Sequence, residues 1–338
     1  MINIAINGFG RIGRNFLRAV LQDKASHKKI RVVVINVGPA KLHSVAHMFK
    51  YDTLMGEYLG DAKVKDNELE INGYRVTLLN QTDPKKIEWY KYGVDWVVDA
   101  TGKFTSREGA QLHLDSGAKN VLITAPAKGE DVTIIPGVND QDYNPERDHI
   151  VSLGSCTTNA IMPMLKVLHE KFVVKNGFMT TIHAYTNTQV LLDVEKKDLR
   201  RSRAAALNII PTTTGATKVL GKVMPELEGL IGGNAIRVPV AKVSLIDLTF
   251  IAKEVITKEK INHAFEYASK EGLKGILDIS YEPLVSSDYS ENNNSVVIDG
   301  LLTKVISHTG KIFGWYDNEW GYSVRLKDFL LSVAQRQF

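Results

Sequence analysis

The stretch "INIAINGFGRIGRNF" at the start of the chain constrains its fold more than any other. Residues 2 to 6 carry the isoleucines of a buried strand, and they pass without a linker into Gly8, Gly10 and Gly13, spaced G-x-G-x-x-G. The helical pattern "RNFLRAVLQ" follows directly. Strand, glycine turn and helix in that order open a dinucleotide-binding fold. Gly8 allows the tight turn, Gly10 lets the main chain approach a pyrophosphate, and Gly13 lets the helix pack closely on the strand, its N-terminus facing the phosphates. A glycine-rich turn alone often only turns. Here a second β-branched run, "IRVVVIN", returns some 20 residues on, and the combination predicts nucleotide binding.

That second run ends unusually. A carboxylate there ordinarily accepts hydrogen bonds from the adenosine ribose hydroxyls and repels a 2′-phosphate. This chain has Asn36, Val37 and Gly38 instead. Repulsion of NADP is relieved and one partner for NAD is lost, unless Asn36 or main-chain groups serve the ribose.

The β-α-β rhythm continues through "VDWVVDATG", "EGAQLHLDSGA" and "NVLITAPA", so residues 1–155 read as a doubly wound parallel sheet, the Rossmann arrangement. "LEINGYRVTLL" carries an Asn72-Gly73 turn between two alternating runs, which predicts an inserted β-hairpin. From Cys156 the pattern changes. "TTNAIMPMLKVLHEKF" is helical and "NGFMTTIHAYT" is a strand, and a long polar stretch follows. "NAIRVPVAKVSLIDLTFIA" and "SVVIDGLLTKVISHTGKIFGWYD" read as long strands on either side of the helix "KEKINHAFEYASKEG". Long strands with few helices predict an α+β catalytic domain, residues 156–318, built on a mostly antiparallel sheet. The last segment places Val324, Phe329, Leu330 and Val333 on one helical stripe that must pack somewhere.

Composition narrows the function. In 338 residues there is one cysteine, Cys156, so no internal disulfide is possible and one thiol is too few for a zinc site. No HExxH or CxxC spacing occurs, and no metal is expected. A net charge of +4 suits phosphate-bearing small ligands and falls short of the concentrated basic face of a nucleic-acid binder. The chain enters a strand at once, without a leader, and no apolar run approaches the roughly 18 residues of a membrane span, so a cytoplasmic protein is expected.

Free cysteines are commonly inert core residues. Cys156 instead has Ser155, Thr157, Thr158 and Asn159 as neighbours at a predicted helix start, where the helix N-terminus would hold a thiolate below the usual pKa of about 8.5. This is the setting of a nucleophile, and "TTIHAYTN" supplies a candidate base, His183. Thr212, Thr213, Thr214 and Gly215 in "PTTTGATK", with the arginines of "KKDLRRSR" and the isolated Arg237, offer hydroxyls, amides and guanidinium groups for anions. Lys196 and Lys197 read as solvated surface.

Taken together, "INGFGRIGR", "SCTTN", "IHAYTN", "DLRRSRAAALNIIPTTTGATK", "RVPVAKVSLIDL" and "WYDNEWGYS" resemble phosphorylating glyceraldehyde-3-phosphate dehydrogenases from residue 3 to about 325. The resemblance implies a homotetramer and a C-terminal helix, about residues 319–338, that returns to the first domain. It implies that Cys156 attacks the aldehyde of glyceraldehyde 3-phosphate and that His183 takes the hydroxyl proton as hydride passes to NAD or NADP. Inorganic phosphate then releases 1,3-bisphosphoglycerate from a thioester. It further implies that Thr186 and Arg237 hold the substrate phosphate, and that Ser155, Thr157, Thr214, Gly215 and Arg201 surround the attacking one. Arg11, Ile12, Thr101, Gly102 and Thr124 would contact the cofactor, with Asn318 at the nicotinamide carboxamide.

The chain departs from the family pattern at several points. Val37 replaces an Asp usual in NAD-using members, Thr82 stands where an Arg is common, and Val194-Glu195 replaces a Leu-Pro pair. Val37 and the lost Pro resemble NADP-accepting members; Glu195 and the lost Arg point the other way. Ala160 replaces a second cysteine, so slower disulfide inactivation is expected. The alternatives are an erythrose-4-phosphate dehydrogenase, or a non-catalytic cofactor-binding regulator on the same scaffold, which the intact Cys156, His183, Arg201 and Arg237 oppose.

Overall fold

A computed structural model describes residues 1–336; the last two residues of the predicted C-terminal helix lie outside the described part. The chain divides into two compact units. One holds residues 1–134 and 141–154 and the chain from Ser323 on, and the other holds residues 135–140 and 155–322. Residues 135–140, read from sequence as part of the first domain, group with the second unit because Ile135 and Val138 enter its core and Lys166 Nζ binds the carbonyls of Gly137 and Val138.

In the first unit, β1 (Ile2–Asn7) leads through α1 (Arg11–Gln22) to β2 (Ile30–Asn36) and α2 (Val45–Lys50). The strands β3 (Ala62–Lys65), β4 (Glu68–Ile71) and β5 (Tyr74–Leu79) come next. Then follow β6 (Trp96–Asp99), α3 (Arg107–Asp115), β7 (Asn120–Ile123), β8 (Val132–Thr133) and β9 (Ile150–Ser152). They form one sheet in the order β3-β4-β5-β2-β1-β6-β7-β9-β8. Pairing is parallel from β5 to β8. The antiparallel exceptions are the predicted hairpin β4–β5, which turns at Asn72 and Gly73 with φ of 47° and 82°, and the edge strand β3, which the sequence did not reveal. Every residue of β6 and β7 is buried, as covered parallel strands require. β1 lies between β2 and β6, so the strand order reverses at the end of β1 that carries the glycines. Phe329, on the predicted C-terminal stripe, packs edge-on against Trp96 and Tyr143 of this unit.

The second unit opens with α4 (Cys156–Phe172) and β10 (Val174–Ala184), then β11 (Ile210–Thr213), α5 (Leu220–Val223), β12 (Ile231–Val238), β13 (Ser244–Ala252) and α6 (Lys258–Lys270). It continues with β14 (Leu277–Ser280), β15 (Val296–Asp299), β16 (Lys304–Ile306), β17 (Thr309–Tyr316) and the first turn of α7 (Trp320–Arg336). The sheet runs β11-β12-β10-β13-β17-β15-β14, with β16 beside β17, and only β10–β12 and β14–β15 are parallel. Both segments expected as continuous long strands are broken. The first becomes β12 and β13, because Pro239 supplies no N–H and Val243 takes a positive φ of 67°, and the two halves flank β10 rather than pairing. The second becomes β15, β16 and β17, with Ser307 at φ 56° closing the β16–β17 hairpin. α4 and α6 cover one face over a core that includes Leu165, Leu248, Phe250, Phe265 and Ile312.

Candidate active site

Apart from Asn318, which belongs to the second unit, the cofactor residues named from sequence cluster at the C-terminal ends of adjacent strands in the first unit, where a doubly wound sheet places its ligand crevice. Gly8 and Gly10 follow β1, Asn36 ends β2 with Val37 and Gly38 after it, Thr101 and Gly102 follow β6, and Thr124 follows β7. A cleft of about 330 Å³ there is lined by Gly8, Gly10, Val37, Gly38, Thr82 and Thr101, among others. Gly8 has φ 95° and Gly13 backs onto it so closely that a Cβ would fall 2.2 Å from the Gly8 carbonyl. Gly10 has open space on its Cβ side and caps α1 with no side-chain bond, leaving the helix start uncovered. A pyrophosphate fits this cradle on both counts. Ile12 follows Arg11 in the first turn of α1, and Arg11 itself is ion-paired with Asp52. Burial works against that carboxylate, yet Arg11 and the amides of Met55 and Leu54 hold it at about 2.

Asn36 lines the cleft with its amide engaged by neighbouring protein groups. Its Nδ2 donates to Asn7 Oδ1 at 2.7 Å and to the Gln81 carbonyl at 2.9 Å, and its Oδ1 accepts from Gln81 N at 2.9 Å. The side chain ties β2 to β1 and to the segment after β5. Val37 lines the cleft with its side chain 93% buried, a hydrocarbon where a carboxylate was the sequence expectation.

In the second unit Cys156 is the first residue of α4, and Ser155 caps the helix, its Oγ accepting from Thr158 N at 3.1 Å. Cys156 Sγ lies 3.6 Å from His183 Nε2. Strand register explains why His183 and Arg237 meet: they are direct partners in the parallel pair β10–β12 and so project from the same face. Arg237 Nη1 lies 2.6 Å from His183 Nδ1 and donates to the Ala184 carbonyl at 2.9 Å; that carbonyl also lies 2.6 Å from Nδ1.

Electrostatics follow from this packing. Burial, then the charges of Arg237 and Arg201, lower His183 to about 3 against the pull of the Ala184 carbonyl, so the imidazole is neutral. Burial pushes the Cys156 thiol up, and this outweighs the downward pull of Arg237 and of the Thr157 hydroxyl and nearby amides. The expectation of a depressed thiol pKa is therefore corrected: desolvation at the start of α4 outweighs the helix N-terminus.

The anion-binding candidates fall into two sets. Arg201 is held by Thr212, with Nε to Oγ1 at 2.9 Å, and by the Thr213 carbonyl at 3.2 Å. Thr214 Oγ1 accepts from Ala216 N at 3.2 Å, and Gly215 has open space beside it. Arg237 keeps a buried Nε with no hydrogen-bond partner among the described residues, a donor left without an acceptor. Thr186 sits past the end of β10, its hydroxyl shared with Thr188 at 2.9 Å, and no hydrogen bond joins it to Arg237.

Two positions that sequence reading did not single out complete the site. Tyr316 is buried with its hydroxyl 3.0 Å from Thr157 Oγ1 and 2.7 Å from Thr181 Oγ1, its ring edge-on to His183, so it joins the first turn of α4 to β10. Ser244 accepts from Ala184 N at 3.1 Å and donates to Asn318 Oδ1 at 3.0 Å. The signal available was a hydroxyl-bearing residue at an inward position of a strand, which must find a polar partner.

A doubly wound dinucleotide fold, joined in one chain to a unit where a helix-capped thiol faces a neutral imidazole, defines a two-domain oxidoreductase. Residues 2–107 match the family described as glyceraldehyde 3-phosphate dehydrogenase, NAD binding domain, and residues 155–318 match the C-terminal domain of the same enzyme. The chain is 49% identical over 337 residues to glyceraldehyde-3-phosphate dehydrogenase 2 of Bacillus subtilis (strain 168), covering 99% of this chain and 97% of that protein. It is 47% identical over 336 residues to the glyceraldehyde-3-phosphate dehydrogenase of Geobacillus stearothermophilus, covering 99% of each, and 46% identical over 338 residues to that of Streptomyces coelicolor, again covering 99% of each. The chain belongs to the glyceraldehyde-3-phosphate dehydrogenase family.

Proposed function

We propose that this protein catalyses the reversible oxidative phosphorylation of glyceraldehyde 3-phosphate, using NAD and also accepting NADP. The observation that carries the reading is the Cys156–His183 pair, 3.6 Å apart, with Nδ1 of the histidine flanked by one acceptor and one donor. When Nδ1–H donates to the Ala184 carbonyl, the Nε2 lone pair faces the sulfur and takes a proton. When Nδ1 accepts from Arg237, Nε2–H donates instead. The two partners serve both tautomers, as an acid–base group requires.

His183 Nε2 takes the thiol proton as the Cys156 sulfur adds to the aldehyde carbon and passes it to the former carbonyl oxygen, and it removes that hydroxyl proton again as the hydride leaves. The nicotinamide, when bound, accepts the hydride that leaves the same carbon. The acyl group then rests on Cys156 as a thioester, which inorganic phosphate attacks to give the acyl phosphate and free thiolate. Arg237, whose buried Nε lacks an acceptor, and Thr186 take the substrate phosphate; Ser155, Thr157, Thr214, Gly215 and Arg201 take the attacking one. Asn318 meets the carboxamide, and Arg11, Ile12, Thr101, Gly102 and Thr124 frame the rest of the cofactor. Val37 supports NADP acceptance, since a hydrocarbon replaces the charge that would repel a 2′-phosphate.

Exposed apolar side chains on the second unit, Phe178 and Leu191, Leu192, Leu199, Leu207 and Ile209, support a homotetramer in which other copies cover them. Light scattering tests the mass. No described helix is long and apolar enough to cross a membrane. The enzymatic reading is tested by following reduced cofactor with glyceraldehyde 3-phosphate, with and without phosphate. Phosphate-dependent reduction is expected with both cofactors. Fully reduced protein that gives none with either defeats it, and a protein that turns over NAD while ignoring NADP defeats the cofactor part.

A further inference from the structure

Ser244 sits 1% exposed at the start of β13 and touches both halves of the chemistry without touching a reactant. Its Oγ accepts from Ala184 N, the residue whose carbonyl faces His183 Nδ1, and its one hydroxyl proton goes to Asn318 Oδ1 at 3.0 Å. Proton counting fixes the direction. The Ala184 amide can only donate, so Ser244 must find an acceptor for its own hydrogen, and a buried hydroxyl proton without one is costly. Asn318 reversed end for end would present N–H to that proton. Its oxygen therefore faces Ser244, which leaves Nδ2 as the end of the amide not used in this contact.

We infer that Ser244 is a positioning residue: it sets the amide of Asn318 so that Nδ2 is the atom offered to the carboxamide oxygen of a nicotinamide, and so fixes which face of that ring is reduced. The inference rests on the proposed role of Asn318. A carboxamide met by a fixed donor holds the ring in one of its two orientations about the glycosidic bond. In Ser244→Ala the amide is free to present either end, and both ring orientations become populated.

The experiment has two arms. In the first, NAD binding is titrated by protein fluorescence for wild type, Ser244→Ala, Asn318→Ala and the double variant, which requires no turnover. Ser244→Ala is expected to weaken NAD roughly three- to tenfold, the loss of about one neutral hydrogen bond. Because Ser244 acts through Asn318, the double variant is expected to be no weaker than Asn318→Ala. Losses that simply add, in variants whose thermal melts match the wild type, overturn the inference even if the protein is not a dehydrogenase. In the second arm, aldehyde-deuterated glyceraldehyde 3-phosphate is oxidised and the reduced cofactor is read by NMR. Wild type is expected to place deuterium on one face of nicotinamide C4, and Ser244→Ala on both. Deuterium confined to one face in Ser244→Ala also overturns it, since a packing defect alone would lower rate without mixing faces.

Discussion

Replacing Arg237 by Leu removes the cation that acts on both reacting groups. Arg237 Nη1 is 2.6 Å from His183 Nδ1, and His183 Nε2 is 3.6 Å from Cys156 Sγ. Allowing for the width of the ring, guanidinium and sulfur stand within about 8.5 Å, so the attraction to a thiolate is ~2 kcal/mol at an effective dielectric constant of about 20. Arg237 is only partly buried, and halving the figure for solvent screening leaves ~1 kcal/mol. The thiolate population at fixed pH should fall by a factor between about 5 and 30 in Arg237→Leu. The assay is the rate of Cys156 alkylation by iodoacetamide, a neutral reagent, measured without cofactor from about pH 7 to about pH 10. His183 does not confuse the result. Loss of the nearby positive charge favours the protonated imidazole, yet from a starting value of about 3 the ring has a wide margin before it charges above neutral pH. The variant's rate should rise at higher pH than the wild type's, and Arg237→Lys should recover much of the difference. Identical profiles, or a shift to lower pH, would refute the assignment of Arg237 as the cation that sustains the thiolate.

Other changes probe single parts of the site. Cys156→Ser should bring turnover below detection while NAD affinity stays within about twofold, and equal loss of both would mark the cysteine as structural. His183→Asn should lower kcat by ~10²- to 10⁴-fold with cofactor binding unchanged, read by steady-state kinetics beside a binding titration. Tyr316→Phe deletes a buried hydroxyl that two threonines share and should cost ~1–3 kcal/mol, visible as a lower urea midpoint; an unchanged midpoint would show that those threonines re-pair. Val37→Asp should raise the ratio of kcat/KM for NAD over NADP by about tenfold or more, as expected for a charge set against a 2′-phosphate.

Local signals made the first unit legible. Glycine spacing, an Asn-Gly turn and runs of β-branched residues each act over a few neighbours, and they located the cleft and most strands around it. The second unit was read less well because its logic is non-local. Pro239 and the positive φ of Val243 break a run that looks continuous in sequence, and the halves end on opposite sides of β10. Cys156 was found from its polar neighbours, but its acidity was not, because burial comes from residues distant in sequence. Ser244 and Tyr316 lie inside matched blocks but carry no chemical signal of their own. Both matter through register, which pairs Ser244 with Tyr316 across β13–β17 and His183 with Arg237 across β10–β12. Asn36 shows how packing adds what sequence omits, since it lines the cleft and also ties strands together. A side chain plausible as a ribose ligand is committed to Asn7 and Gln81.

The same register gives the site a sense of occupancy. A row across one end of the sheet runs from Arg237 on β12 through His183 on β10 to Ser244 on β13 and Tyr316 on β17. At the Arg237 end, burial and then positive charge keep the imidazole neutral, and the same charge opposes the desolvation that raises the thiol. A substrate phosphate placed on Arg237 cancels part of that charge. The imidazole then loses a repulsion that opposed its protonation, so it becomes a better proton acceptor once the substrate is seated. An aldehyde without a phosphate leaves the charge uncancelled and meets a poorer base. On this account the phosphate contributes to the hydride-transfer step as well as to binding, through the charge that the β10–β12 register sets beside the base.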